Sequence, residues 1–287
     1  MQKFKYLFIS CMLIFSCSLS TQALDLKSHW QQTRAPHYVA PKPKEVRLAE
    51  QLFEQHFNNN WDSELTQAWA QLGFELIENT LNKRKVIIIQ ENSDNPRGHG
   101  FFVFFTEDYT PSALQIPHGY SDLYTGTIGL RLFAEGRYQA IALNTAHRKK
   151  ADMAHFHSSY FNAFSHAFAR THRNGRMIQL HGFAQQKRRS TKAKSAHLII
   201  SAGSHSPTSH VYAISNCSKH WLQQGVRIYP EEVKELGGTL NVNGAIMRLQ
   251  GHDGFIHIEM SKPLRNRLRK TPAQRVLFNH CLIEGIQ

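Results

Sequence analysis

The sequence predicts one α/β domain in which a mainly parallel, mixed sheet lies between two layers of helices. Two observations predict it. From about residue 112 onward, short apolar runs alternate with stretches at helical spacing, the pattern of strand-helix-strand units with helices on both faces of a sheet. The length, 287 residues, can bury one large core and does not call for a second domain.

Residues 1–23 carry the three-part pattern of a secretory signal: Lys3 and Lys5 at the start, an apolar run over 6–15, and Thr21-Gln22-Ala23 as a small-residue cleavage site. The mature chain is then expected to begin near Leu24 and to be periplasmic or secreted, with no transmembrane span. An uncleaved anchor is the competing reading, but Ser10, Cys11, Ser16 and Cys17 interrupt a stretch already short for a membrane. A lipid anchor on Cys17 is the lesser variant, because Phe15 sits awkwardly in such a site.

Residues 24–44 are polar, contain Pro36, Pro41 and Pro43, and read as an extended N-terminal arm, leaving 45–287 as the domain proper. Helical spacing appears over 45–57 and 64–72. Strand-like runs follow at 85–90 (KVIIIQ) and 100–106 (GFFVFFT), separated by the turn chemistry of Asn95-Pro96-Arg97-Gly98. Thereafter strands are expected at 112–117 (SALQIP), 138–143 (YQAIAL), 177–180 (MIQL), 197–201 (HLIIS), 226–229 and 255–260 (FIHIEM). Helices are expected over 122–135, 152–171 and 209–224, and two basic helices close the chain. No internal repeat interrupts this order, and the one biased segment is the basic run at 187–194, KRRSTKAK.

The formal charge is +13 with neutral histidines, and loss of residues 1–23 would remove two lysines and no acids. Such an excess favours encounter with anions. For an exported protein the expected partner is an anionic peptide-like or polymeric substrate rather than nucleic acid, although a basic surface without a specific partner fits the charge equally well. The oligomeric state is unknown from sequence. Of the four cysteines, Cys217 and Cys281 lie in the mature chain, where they either pair or stand as isolated buried thiols; no C-x-x-C supports a thiolate metal site.

Three polar groups stand at the ends of apolar strands. SALQIP runs into His118, MIQL into His181, and FIHIE brings up Glu259. In open α/β sheets, ligands bind outside the carboxyl ends of the strands, so these groups can converge without being neighbours in sequence. Both histidines precede a glycine, Gly119 and Gly182, which can turn the chain past a site and leave room beside it. A hydrolytic zinc takes three protein ligands and keeps one position open for water. His118 and His181 supply two, and Asp122, one turn beyond His118, is the third, unless it serves only as a helix N-cap. Glu259 suits the acid/base role beside a metal, and His257, on the same face of its strand, is a supporting residue or substitute ligand. Each of these residues also has an ordinary structural reading, since the chain holds 18 histidines; the combination carries the weight.

Pro117-His118-Gly119 with Asp122 and Thr125-Gly126, then Asn144-Thr145-Ala146-His147-Arg148, then Gln179-Leu180-His181-Gly182, then His257-Ile258-Glu259-Met260-Ser261 resemble, in order and spacing, the zinc-carboxypeptidase-like amidohydrolases. That group includes N-formylglutamate amidohydrolases and poly-gamma-glutamate hydrolases. The likeness covers roughly residues 115–265 and rests on the order of short motifs. It implies a three-layer phosphorylase/hydrolase-like sheet fold, one catalytic Zn2+, and cleavage of an amide beside a carboxylate. On this chain His118 and His181 match the histidine ligands and Glu259 the catalytic glutamate. Arg148, with Asn144 near it, matches the position that grips a substrate carboxylate, a role the planar guanidinium fork suits. The acidic ligand departs from the pattern: the family places it, often as Glu, after a short fixed gap, whereas the nearest acid here is Asp122, so His257 stands as the alternative.

Two other readings compete. A serine hydrolase would need a G-x-S-x-G elbow, and Gly203-Ser204-His205-Ser206 lacks that spacing. A non-enzymatic anion- or cell-wall-binding protein would use the charge and Trp30, Trp61, Trp69 and Trp221, but these mostly fall at helical spacing, where core packing accounts for them.

Overall fold

The computed structural model describes residues 24–283, so the expected signal and Cys17 lie outside the described residues. The chain opens with helices α1 (Leu26–Gln32), α2 (Pro43–Phe57) and α3 (Ser63–Gln71), followed by strands β1 (Phe74–Leu81), β2 (Arg84–Glu91), β3 (Phe101–Phe105) and β4 (Thr110–Ile116). Next come α4 (Thr125–Glu135), β5 (Tyr138–Leu143), α5 (Tyr160–Thr171), β6 (Arg176–Phe183), the short α6 (Thr191–Lys194), β7 (Leu198–Ser201), α7 (Ser209–Leu222) and β8 (Val226–Ile228). The last elements are α8 (Val242–Leu249), β9 (Phe255–Ser261), α9 (Lys262–Lys270) and α10 (Pro272–Ile283).

The strands form one nine-stranded mixed sheet in the order β1-β2-β3-β5-β4-β6-β9-β7-β8. Its centre, β5-β4-β6-β9, is parallel, and antiparallel strands flank it on both sides. The expected strand-turn-strand unit is the antiparallel pair β2–β3. Alternate residues of KVIIIQ and GFFVFFT enter opposite cores. Val86, Ile88, Val103 and Phe105 pack with α4, α7, α9 and α10 on one face, whereas Ile87, Ile89, Phe102 and Phe104 pack with α2, α3 and α5 on the other. Burial on both faces explains why these runs are continuously apolar rather than alternating. The three layers thus follow from strand composition. Among the described residues no helix is long and apolar enough to cross a membrane. Cys217 and Cys281 form a disulfide that ties α7 to α10.

Four local expectations change. The arm over 24–44 is not extended throughout: α1 forms because Asp25 caps it and Leu26 and Trp30 bury one face in the core. Helix α4 begins at Thr125, leaving Asp122 in the preceding turn. Helix α5 begins at Tyr160 rather than at 152, because Ser159 and Asn162 build a reciprocal capping box and Ser158 has φ of 61°, incompatible with a helix running through it. The basic run is no free loop; Ala193 and Ala196 anchor it in a small third core with Phe183, Ile199 and Tyr229.

Candidate metal centre

Strands β4, β6 and β9 are adjacent and parallel, so their carboxyl ends share one edge of the sheet. The register completes the convergence: Gln179 pairs with His257 and His181 with Glu259 across β6 and β9. Because side chains repeat every two residues along a strand, these four groups share the face that carries α5 and α8. His118 enters from the turn just beyond β4. All three sequence-predicted chemical groups line one cavity of about 600 Å³, together with Asp122, Arg148 and His257.

The two imidazoles have matching hydrogen-bond geometry. His118 places Nε2 2.7 Å from Asp152 Oδ1, and His181 places Nε2 2.7 Å from Gln179 Oε1. Both acceptors are oxygens, so each ring is assigned its N–H at Nε2 and an uncommitted Nδ1. The two Nδ1 atoms lie 3.1 Å apart, with Asp122 Oδ2 3.4 Å from the first and 3.8 Å from the second. Two lone pairs at that separation repel unless a proton or a cation stands between them.

Charge around the site supports this reading. Burial alone would lower His118, but the hydrogen bonds and charges of Asp122 and Asp152 overcome it and raise the ring above its usual value. Burial, reinforced by His257 and His118, holds His181 far below the normal range and therefore neutral. His257 falls to about 3 for the same reason, burial first. Glu259 is pushed up to about 8, chiefly by burial and then by the neighbouring Asp122 carboxylate. Its Oε2 and His257 Nδ1 are buried without a partner, as expected of groups that await a ligand rather than build a core.

Candidate donors for a metal fall into two groups, His118-Asp122-His181 and His181-His257-Glu259, each with donor atoms within 4.8 Å of one another. The first fits a zinc site. It offers two nitrogens and a carboxylate, three ligands with a position left for water. Both of its histidines donate the opposite N–H to an oxygen acceptor, as metal-bound imidazoles generally do. His257 has no such partner among the described residues.

Asp152 was not anticipated from sequence, because residues 152–171 read as continuous helix and would have turned it away from the site. Its carboxylate instead receives His118, Arg148 at 2.8 Å and His155 at 3.3 Å. Burial would raise it, but the bonds and charges of His118 and Arg148 hold it well below the usual carboxylate range. Arg148, expected to grip a substrate, is 40 % exposed and engaged with this acid. Asn144 does not line the cavity: its carboxamide binds Pro117 O, Ala151 O and Ala146 N, fixing the turns on either side of the site. Gln179 belongs to a buried amide chain through Gln115, Ser165 and Asn243 that braces β6 against α5 and α8.

No family model matches the chain, and no curated protein matches it. Solved structures that resemble it include a bacteriophage poly-gamma-glutamate hydrolase, at TM-score 0.38 and 10% identity over 62% of this chain and 84% of that one. Zinc-free YndL aligns at TM-score 0.38 and 13% identity, over 78% of this chain and 91% of that one. A protein from Shewanella amazonensis, provisionally assigned as a metallopeptidase, aligns at TM-score 0.35 and 9% identity, over 78% and 98%. With likenesses of this size, the functional reading depends on the site's own geometry.

Proposed function

We propose that this chain is an exported, zinc-dependent hydrolase that cleaves an amide bond beside a carboxylate in an anionic, peptide-like substrate. The observation that carries the reading is the pair of imidazoles with both Nε2 atoms committed and both Nδ1 atoms turned on each other beside Asp122. His118, Asp122 and His181 would hold the ion. A zinc ion held by them would supply Lewis-acid polarisation of the scissile carbonyl and a lowered pKa for the attacking water.

The rest falls to the chain's own side chains. Glu259 lines the cavity and its Oε2 has no partner among the described residues, so the carboxylate is free to take the water's proton and deliver it to the leaving amine. Its proton affinity is high in the metal-free protein because the site is buried; a dication nearby favours the ionised carboxylate that the role requires. Asp152 and Gln179 fix the ring orientation of the two ligands and keep their N–H on the far nitrogen. The basic wall formed by Lys187 and Arg188 raises the local concentration of anionic substrate.

The test is metal analysis of the protein purified from its exported form, followed by assay on N-acyl amino acids with a free carboxylate. About one equivalent of zinc is expected, with activity lost on chelation and restored by zinc. Glu259→Gln should keep the metal and lose turnover by roughly 10²–10⁴. Stoichiometric absence of metal, or a Glu259→Gln variant with full turnover, would end the proposal.

A further inference from the structure

Arg265 stands apart from the other cations of the cavity. It follows β9 directly in α9, is 4 % exposed, and lines the same cavity as Glu259. Its Nη1 donates to Met260 O at 2.7 Å, while its Nε is buried with no partner. Asp122 and Glu259 are near enough to act on its charge, yet among the described residues it forms no ion pair with either. A buried guanidinium with an unmatched edge is costly to keep unless something supplies the missing acceptors.

The backbone makes room for it. Gly182 follows His181 on β6, and a Cβ at that position would run into Arg265 Nη1 and lie 2.5 Å from its Cζ. The glycine after the second histidine is therefore occupied ground: it lets the guanidinium lie across the strand beside the metal ligands. Arg148, by contrast, is exposed and neutralised by Asp152.

We propose that Arg265, rather than Arg148, holds the substrate's carboxylate, and that it sets the preference for an anionic group next to the scissile amide. This rests on the reading of the cavity as a substrate site. The unpaired Nε–H of Arg265 can join a terminal N–H in donating two parallel hydrogen bonds to one carboxylate, a geometry that a lysine cannot reproduce. A carboxylate held there would lie in the cavity that the ligand cluster and Glu259 also line.

Glutarate is the probe, with neutral glutaramide as control, titrated calorimetrically into both zinc-loaded and chelated protein. Wild-type protein should bind glutarate saturably and glutaramide at least tenfold more weakly. Arg265→Met and Arg265→Lys should each weaken glutarate at least tenfold with or without zinc, while Arg148→Met stays within threefold. Gly182→Ala leaves the charge in place and displaces the guanidinium, so it should match Arg265→Met and guards against a loss that merely reflects misfolding. The proposal is overturned if wild type fails to bind glutarate, if Arg265→Lys and Gly182→Ala bind like wild type, or if Arg148→Met loses as much as Arg265→Met. Binding that depends on Arg265 in a protein that neither holds zinc nor turns over would retain the anion site and remove the hydrolase reading; zinc and turnover without that dependence would do the reverse.

Discussion

The candidate metal centre uses the dipeptide His-Gly twice, at His118-Gly119 and His181-Gly182, and the two copies solve different problems. At His118-Gly119 the glycine faces inward to the N-terminal helix: a Cβ on Gly119 would lie 2.7 Å from the Trp30 indole, which stacks on Tyr120 at 4.2 Å and donates to Asn144 O. At His181-Gly182 the glycine makes room for Arg265. The acceptors behind the rings differ as well, a charged Asp152 for His118 and a neutral Gln179 for His181. The first copy is thus held by an aromatic staple and a carboxylate, the second by strand pairing and an amide network. The lesson is that a short motif marks a candidate ligand and leaves its support to distant parts of the chain.

The largest effects should fall on what the two copies share. His118→Ala or His181→Ala should each reduce bound zinc from about one equivalent to none, an affinity loss above roughly a hundredfold, measured by metal analysis after dialysis. If His118→Ala keeps its zinc while His257→Ala loses it, the second donor group is the true site and the symmetry between the two His-Gly copies is false. The supports come next. Asp152→Asn should weaken zinc about 10–100-fold, and Gln179→Leu less, because a carboxylate acceptor strengthens the ligand more than an amide does. Equal losses in a chelator competition assay would erase that distinction.

Stability should separate the two copies in the opposite manner. Trp30→Ala removes a buried indole from the core and should cost about 3–5 kcal/mol, a fall in Tm on the order of 10 °C. Gly119→Ala should cost about 1–3 kcal/mol, since the indole has no room to retreat. Gly182→Ala should cost less, because the obstructing atoms are the far end of a flexible side chain. A Gly182→Ala protein less stable than Gly119→Ala in thermal melts would refute the view that α1 staples the first loop.

Much of this was legible in the sequence, and the reasons are local. The strand-helix alternation fixed the central parallel strands, because apolar runs such as YQAIAL have no other way to bury both faces. The convergence of His118, His181 and Glu259 followed from their place at strand ends. Three things were not legible. Strand β1 has a largely exposed, polar face and escaped notice. Helix α8 is short and opens with Asn241 as its cap and a glycine within. Asp152 and Arg265 act through space, one from a loop that reads as helix and one from a helix that reads as plain basic surface; no local pattern marks either.

The smallest effect expected is a change in the pH dependence of the metal-free protein, and its sign can be worked out. Glu259 titrates near 8 when folded against an ordinary 4.5, so its contribution to stability is complete below about 4.5 and is lost as pH rises through about 8. His118 is raised as well, and its contribution likewise fades above 6.5. His181 and His257 are depressed, so they favour the fold above 6.5 and lose that contribution only toward acid. His56, His99 and His172 are depressed by burial as well and act in the same direction as that pair, while Glu91 is raised like Glu259, so the contribution of Glu259 is read as a difference between two proteins. Thermal melts of chelated protein should show wild type losing stability relative to Glu259→Gln as pH rises from about 6.5 to 8, by up to about 1.4 kcal/mol per pH unit. Zinc-loaded protein should trend the other way, because ligands that must shed protons bind more tightly as pH rises. An unchanged slope in Glu259→Gln would mean that this carboxyl already shares its charge with a partner, and the free Oε2 on which its proposed acid/base role depends would not exist.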